Sequence, residues 1–149
     1  MNEALALIVG GYDPMVPNVI LNQVMAFDIP LESKPNNMDY IYELGMRQPM
    51  LVKKTSYASL VNSDMLYIIG GKIIDFANER LVDSGLCEIY AVEADSWSLL
   101  PSLNVARSNA SACSFQNRFI YVFGGNCEIH PCFQMNEHVE RLDLLGKEP

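Results

Sequence analysis

Basic residues, histidine and long apolar runs are scarce in this sequence of 149 residues. It contains 10 Lys and Arg against 18 Asp and Glu, which gives a formal net charge of −8. Binding to a phosphate backbone depends on clustered Lys and Arg, so we expect no nucleic acid partner. No apolar run approaches the roughly 18 residues that a membrane span requires, so we expect no membrane either. The partner that this charge favours is a neutral or basic protein surface.

Catalytic motifs are also missing. The sequence has no serine nucleophile elbow, no glycine-rich phosphate loop that opens a helix, and no paired carboxylates beside a histidine. We therefore predict a protein that is not an enzyme and needs no cofactor. The N-terminus has Glu3, no basic residue and only six apolar residues in a row, which does not fit a secretory signal. The expected location is the cytoplasm.

Four cysteines raise the question of a metal site or a disulfide. Cys127, His130 and Cys132 lie in the segment NCEIHPC, and Cys and His bind zinc when four of them converge. The spacing does not fit a paired-cysteine knuckle, so we predict a plain polar loop and no metal. Cys87 and Cys113 fall in predicted strands, where a free cysteine behaves as a small buried apolar residue.

Three glycine pairs each end an apolar, strand-like run. The runs are ALALIV, MLYII and FIYVF, and the pairs are Gly10-Gly11, Gly70-Gly71 and Gly124-Gly125. Their spacing is close to the period of roughly 50 residues at which one four-stranded propeller blade recurs. A glycine pair at the end of a strand permits positive φ and close approach of a neighbouring backbone. The pairs therefore indicate a repeat built from strands.

The second and third units align beyond their glycines. Residues 53–71 lie over residues 107–125 without a gap: a basic residue, a strand of small residues, a polar turn and an apolar strand. In this alignment Lys53 stands where Arg107 stands in the third unit. After the glycines of the middle unit, Tyr90 is followed by Trp97 and then by a Leu-Pro segment that leads to Arg107.

This order of features resembles the kelch repeat. The match is most specific in residues 65–125. In the first unit Phe27 stands in the place of Tyr90, and Tyr40 or Tyr42 in the place of Trp97. In the third unit Leu142 takes the tyrosine position. The resemblance implies an all-β kelch-type β-propeller fragment, with about three four-stranded antiparallel blades in an open arc over residues 1–149.

The expected blades cover residues 1–46, 53–100 and 105–149. The first lacks its first strand and the third its last. The strands of the middle blade are expected at about residues 55–61, 65–70, 86–93 and 96–100. Propellers have typically four to eight blades, so this length does not close a ring, and we expect self-association or assembly with additional blades.

Several residues have expected roles in packing and turns. Tyr90 and Trp97 would supply the apolar area that joins one blade to the next, and Arg107 a packing or hydrogen-bonding role at a blade boundary. Asp28 and Asp143 recur at the end of the third strand of their units, where aspartate favours turns through bonds to its own backbone.

Long loops between the second and third strands are expected to emerge on one face of the blades, at residues 12–20, 72–85 and 126–137. Exposed aromatic and Arg side chains anchor protein contacts. The candidate partner-binding residues are Phe76, Arg80, Asp83, His130 and Phe133.

The function that the resemblance implies is a non-catalytic protein-protein interaction module, a kelch-repeat scaffold or adaptor. One alternative is an enzyme of the kelch and galactose-oxidase-like propeller class. Copper oxidation would need converging Tyr, His and Cys ligands, and the sequence has only 2 His. The other alternative is a structural fragment that must assemble with further blades.

Overall fold

The computed structural model describes residues 3–12, 15, 19–30, 45–127 and 138–146, with the backbone alone at residues 3, 4, 12 and 28–30. These residues form twelve β-strands joined by turns, with no helix in the described ranges. Accordingly, none of the described segments is a helix that could cross a membrane. The all-β prediction with antiparallel sheets is confirmed.

The strands form three sheets and one separate hairpin, and all pairings are antiparallel. Sheet 1 contains β1 (Glu3–Tyr12), β2 (Ile20–Pro30) and β3 (Gly45–Arg47). Sheet 2 contains β4 (Ala58–Asn62), β5 (Met65–Ile69), β8 (Cys87–Ala91) and β9 (Ser96–Leu100). Sheet 3 contains β10 (Ser111–Phe115), β11 (Phe119–Phe123) and β12 (Val139–Asp143). The hairpin contains β6 (Lys72–Asp75) and β7 (Arg80–Asp83).

The hairpin corrects one prediction. Residues 72–85 were expected to be a loop, and instead they form two paired strands within the connection between β5 and β8. Ile73 lies opposite Val82 and Ile74 opposite Leu81. Branched side chains at these four positions favour a pleated, half-buried surface, and all four are half-buried. Three strands of sheet 2 lie within the ranges expected for them, whereas β4 (Ala58–Asn62) begins and ends later than the expected residues 55–61.

In all three sheets, the strand that precedes the glycine pair and the strand that follows it are paired in the same register. In each sheet the residue four positions before the first glycine pairs with the position of Tyr90. The pairs are Ala6 with Phe27, Leu66 with Tyr90, and Ile120 with Leu142. Since directly opposed residues of an antiparallel pair lie on the same face of the sheet, equivalent residues of the three sheets face the same way. The sheets are therefore copies of one unit at this level.

The preceding strand is offset by one residue between sheets 2 and 3. The turn between β4 and β5 has two residues, Ser63 and Asp64, because Asn62 pairs with Met65. The turn between β10 and β11 spans residues 116–118. The gapless alignment of residues 53–71 with 107–125 is therefore wrong before the turn. Because of the one-residue offset, Lys54, not Lys53, is equivalent to Arg107.

Two buried clusters hold the sheets face to face. Val24 and Met50 form one cluster with Leu66, Ile68 and Tyr90, between sheets 1 and 2. The second lies between sheets 2 and 3, and its buried members are Ala58, Tyr67, Ile69, Cys87, Ile120 and Val122. Sheet 2 is thus covered on both faces, and the order of the sheets in the stack follows the order of the chain.

Glycine is required where the units are tied together. Gly71 has a φ of +103°, and a Cβ on it would lie 2.6 Å from the backbone oxygen of Thr55. Gly125 repeats this approach, with 2.6 Å to the oxygen of Ser108. Gly10 and Gly11 differ from the expected pattern, because they lie inside β1, where the register shifts between Val9 and Gly11.

Candidate functional site

The base of the β6–β7 hairpin is fixed to a segment that runs from sheet 2 to sheet 3. The backbone N–H of Gly71 donates to the oxygen of Arg107 over 2.8 Å, and that of Arg107 donates to the oxygen of Ser84 over 3.3 Å. Lys72 and Thr55 exchange two further backbone bonds of 2.7 and 3.0 Å. The hairpin therefore stands on a rigid support.

Arg107 is the centre of that support. Its side chain is completely buried. Nη1 donates to the backbone oxygens of Gly124 at 3.1 Å and His138 at 2.8 Å, and Nη2 to Oε1 of Glu140 at 2.6 Å. Nε donates to the oxygen of Val105 at 3.3 Å. The guanidinium thus connects the incoming segment to two strands of sheet 3, which is a structural role.

Lys54 repeats this arrangement in sheet 2. Its Nζ donates to the backbone oxygen of Leu86 at 3.0 Å and lies 3.7 Å from Oε2 of Glu88. The N–H of Val52 donates to the other carboxylate oxygen of Glu88 over 2.8 Å. Lysine offers a point charge where Arg107 offers a planar fork, and Lys54 therefore makes fewer bonds.

Burial changes the pKa values of Lys54 and of the two glutamates. Removal from water lowers the pKa of Lys54 and raises the pKa of Glu88, in both cases against the attraction of the partner. Burial also works to raise the pKa of Glu140. The backbone donors of Asn104 and Val105 and the charge of Arg107 outweigh it, so the pKa of Glu140 is lowered overall.

The acidic partners were missed by the sequence analysis. Glu88 and Glu140 each stand two residues before the tyrosine position, at Tyr90 and Leu142. The equivalent placement of the two glutamates is visible in the sequence, but their basic partners are identified only by the contacts in the structure. Only the contacts in the folded chain show that a buried basic residue lies beside each glutamate.

The tip of the hairpin presents an aromatic side chain to solvent. Residues 76–79 connect β6 to β7, and Phe76 is 87% exposed. Asp75 organises the turn: its carboxylate accepts from the N–H of Ala77 at 3.0 Å and from the side chain of Asn78 at 2.6 Å. These bonds, with that of Asn78 first, lower the pKa of Asp75. The turn is therefore held in one shape although it is exposed.

The other two candidate residues of the hairpin, Arg80 and Asp83, lie at different ends of it. Arg80 is exposed and lies opposite Asp75, next to the tip. Asp83 lies at the base, where its carboxylate is 2% exposed and 3.2 Å from Nζ of Lys72. The structure thus places Phe76 and Arg80 at the accessible end and Asp83 in the support. His130 and Phe133 lie outside the described residues.

The three connections that were expected to bind a partner begin at equivalent ends of their strands. The connection from β1 to β2, the hairpin and the connection from β11 to β12 all leave from the glycine end of their strands. Of the first connection, Met15 is described and is 88% exposed. Of residues 126–137, Asn126 and Cys127 are described, and Cys127 is buried.

The residues expected to pack between units lie as follows. Tyr90 is fully buried, and its ring is 4.9 Å from that of Trp97. Trp97 is half-buried and donates from Nε1 to the backbone oxygen of Gln48 at 2.8 Å. Phe27 lies opposite Ala6 in sheet 1, while Tyr40 and Tyr42 are outside the described residues.

Cys113 corrects another prediction, since it is exposed rather than buried, whereas Cys87 is buried. The reason is that Cys113 lies opposite Tyr121, on the face of sheet 3 that points away from sheet 2, and no described sheet covers that face. Cys87, Cys113 and Cys127 are free thiols. Within the described ranges no group of three His, Cys, Asp or Glu could hold a metal ion, and His130 and Cys132 lie beyond them.

Asp143 organises the turn after β12. Its Oδ1 accepts from the N–H of Leu145, two residues on, at 3.1 Å. Arg118 donates to both of its carboxylate oxygens, at 2.9 and 2.7 Å. Asp143 is therefore a turn-forming residue. The side chain of Asp28 is outside the described part.

A groove of 490 Å³ runs between sheets 1 and 2, beside β1. Its walls are mostly apolar and include Leu7, Val9, Val61 and Leu66, with Asp64 at the turn of β4 and β5. Catalysis needs convergent polar groups. The described walls offer one carboxylate without a histidine or basic partner, so the groove does not make a catalytic constellation.

Comparison with known proteins shows which proteins this chain is similar to. No protein-family model matches the chain. The chain is similar to Kelch repeat and BTB domain-containing protein 2 of ectromelia virus (strain Moscow), with 31% identity over 138 residues, 90% of this chain and 21% of that protein.

Two poxvirus proteins of the same name are also similar. That of cowpox virus (strain Brighton Red) is 31% identical over 120 residues, 80% of this chain and 18% of the relative. That of horsepox virus is 24% identical over 143 residues, 87% of this chain and 25% of the relative. The chain thus spans 18–25% of the length of these relatives. Together with the repeated sheets and paired glycines, the similarity shows that the chain belongs to the kelch-repeat family.

Proposed function

We propose that this chain is a non-catalytic protein-interaction module, which contacts a partner protein through the β6–β7 hairpin and the neighbouring loops. The observation that carries the proposal is Phe76, an aromatic side chain that is 87% exposed on a turn with fixed geometry. An exposed phenylalanine contributes nothing to the core of this chain. Aromatic and Arg side chains in the middle of an interface supply most of its binding energy.

The backbone bonds at the base of the hairpin also favour a role in binding a partner. Ordering a flexible loop on binding costs free energy, and a preorganised loop avoids that cost. The hairpin is paired along both strands and its base is bonded to the Arg107 segment. Arg80 stands beside the tip and adds a donor for carboxylate or carbonyl groups. Phe76 and Arg80 are thus the proposed contact residues.

The named relatives support the class and leave the details to experiment. They carry kelch repeats and a BTB domain according to their names, and repeated sheets with paired glycines are also present in this chain. A scaffold or adaptor role and a cytoplasmic location remain predictions. In this proposal the blades cover residues 1–46, 53–100 and 105–149, and the three loops would emerge on one side of the module.

Site-specific photocrosslinking tests the proposal. A photoreactive phenylalanine analogue at position 76 is expected to capture one defined protein from cells that express the chain. The matched control carries the same analogue at Leu145, which is 71% exposed and lies at the opposite end of the strands. The double variant Phe76→Ala and Arg80→Ala should abolish co-purification of the captured protein. Equal capture from both positions, or unchanged co-purification, would remove the hairpin from the proposal.

A further inference from the structure

Two of the expected partner-binding loops are closed at their bases by the same residue, Arg107. The β6–β7 hairpin lies between Gly71 and Ser84, and the backbone of Arg107 bonds to both, at 2.8 and 3.3 Å. The connection from β11 to β12 begins at Gly124 and ends at His138. Nη1 of Arg107 donates to the backbone oxygens of both, at 3.1 and 2.8 Å. One residue thus holds the two ends of two neighbouring loops.

The position of Arg107 is itself fixed. Nη2 donates to Glu140 at 2.6 Å, and the same carboxylate accepts from the backbone N–H groups of Asn104 at 2.6 Å and Val105 at 3.2 Å. The approach to the hairpin is close, since a Cβ on Gly70 would lie 2.6 Å from the backbone oxygen of Arg107. The side chain is completely buried, so Arg107 cannot move without breaking these bonds.

The equivalent residue of the preceding unit makes a smaller set of contacts. Nζ of Lys54 donates to the oxygen of Leu86, which corresponds to His138 because each directly precedes the third strand around its glycine pair. A lysine ammonium is a point charge, whereas the planar fork of arginine reaches several acceptors in fixed directions. The bond from Arg107 to Gly124 has no counterpart among the described bonds of Lys54. Arginine at this position therefore closes its loop from both ends.

Asn126 is an exposed residue at the start of the connection from β11 to β12. It exchanges two backbone bonds, of 2.7 and 3.1 Å, with Ser108, which directly follows Arg107. Lys72, at the base of the hairpin, exchanges the same pair of bonds with Thr55. The first residues of both loops are therefore anchored in equivalent ways in adjoining units.

We propose that Arg107 is a positioning residue of the partner-binding surface. It holds the hairpin and the start of the next loop in one fixed arrangement, so that a single partner protein contacts Phe76, Arg80 and Asn126 together. This inference rests on the proposed function of the hairpin and extends it to a second loop. A surface that is already ordered avoids the cost of ordering two loops on binding. Arg107 is buried and acts through the loops that it holds.

The affinity for the protein captured at position 76 tests the positioning role. Arg107→Lys keeps a positive charge, which Lys54 shows to be compatible with the fold, but removes the fork that bonds to Gly124 and His138 at once. The dissociation constant should rise about tenfold, because the two loops are no longer preorganised. Arg118→Lys is the matched control at an exposed arginine at the opposite end of the strands, and it should leave the affinity unchanged. Both variants are measured at a temperature at which circular dichroism shows them to be folded.

A second background separates positioning from stability. In the Phe76→Ala background, Arg107→Lys should weaken binding less than it does in the wild-type background, because the position of the hairpin matters only while its tip contributes to binding. Coupled residues show such non-additive effects, whereas independent ones add. Equal effects in the two backgrounds would indicate a role in folding alone and would overturn the proposal.

Photocrosslinking at position 126 tests the shared surface in a chain that retains Arg107, so the proposal stays testable if Arg107→Lys does not fold. A photoreactive phenylalanine analogue in place of Asn126 should capture the same protein as the analogue at position 76. The analogue at position 145 should not capture it.

The outcomes separate this inference from the function on which it rests. Weakened binding of Phe76→Ala with unchanged binding of Arg107→Lys would overturn the positioning role and leave the hairpin as the binding site. Capture at position 76 without capture at position 126 would overturn the shared surface. If no protein is captured at position 76, the proposed function itself fails, and this inference fails with it.

Discussion

At the scale of single residues, the units are joined by a buried basic side chain. Arg107 and Lys54 occupy equivalent places, and each lies beside a glutamate on the third strand of its unit. A buried charge without partners is costly, and removing one member of such a pair typically destabilises a protein by several kcal/mol. These pairs therefore fix where each new unit begins.

Replacement of Arg107 tests this role. Arg107→Gln should lower the free energy of unfolding by about 3 to 5 kcal/mol, because it leaves the buried acceptors unpaired. The matched control is Arg118→Gln, which removes the same groups from a two-bond pair with Asp143 at an exposed site. Chemical denaturation of both variants measures the difference. A loss for Arg118→Gln equal to that for Arg107→Gln would contradict the role of burial.

We predict that pH has opposite effects on the stability contributed by Glu140 and by Glu88. The pKa of Glu140 is lowered in the folded protein, so its contribution is complete above the ordinary value of 4.5 and is lost as the pH falls through the lowered pKa. The stability advantage of wild type over Glu140→Gln should therefore shrink in acid.

Glu88 should behave in the other direction. Burial raises its pKa, so the protein gains stability from it below pH 4.5 and loses that gain as the pH rises through the raised pKa. Wild type should thus improve relative to Glu88→Gln in acid. Urea unfolding of both variants from pH 3 to 7 measures the two trends, and equal signs would contradict the assigned shifts.

Tyr90 provides a test of packing between sheets 1 and 2. Tyr90→Ala should cost about 3 to 5 kcal/mol, as for other large buried aromatic residues. Tyr90→Phe removes a 2.5 Å hydrogen bond to Asp95 and should cost about 1 kcal/mol. Burial, with the nearby carboxylate of Asp95, raises the pKa of Tyr90 to about 12, so Tyr90 should stay unionised at pH 10. Thermal unfolding of the variants and an ultraviolet pH titration check these values.

At the scale of elements, the glycine pairs permit the close approach of one unit's backbone to the next. Gly71→Ala should destabilise the protein by about 3 kcal/mol or more, because it combines strain at positive φ with an overlap. Gly45→Ala is the control, since its nearest neighbour to an added Cβ lies 3.8 Å away. Denaturant midpoints that shift equally would contradict this explanation.

The elements also show what the sequence could predict. Apolar runs ended by paired glycines were sufficient to locate the strands around Gly70 and Gly124. The hairpin was missed because its four-residue strands mix isoleucine, leucine and valine with Lys, Asp and Arg, a pattern equally typical of a loop.

The one-residue offset of β10 could not be predicted from the sequence, for a different reason. Lys53 and Lys54 are adjacent, so either could align with Arg107. A shift of one residue turns every side chain of a strand to the other face, so Cys113 pairs with Tyr121 instead of Val122, the partner that the gapless alignment would give it. Among the candidate contact residues, sequence could identify Phe76 and Arg80, but it could not separate them from Asp83 at the base.

At the scale of the whole molecule, three copies of one sheet unit are stacked face to face in the described part of the chain. The hairpin proposal depends on this stack, because the segment between sheets 2 and 3 holds the base of the hairpin.

Nuclear Overhauser contacts between sheets test the stack most directly. Val24 in sheet 1 and Tyr90 in sheet 2 lie in one buried cluster, as do Ile69 in sheet 2 and Val122 in sheet 3. The account predicts cross-peaks from the Val24 methyl groups to the Tyr90 ring and between the methyl groups of Ile69 and Val122. Their absence, with the Tyr90 ring accessible to a soluble paramagnetic probe, would contradict it.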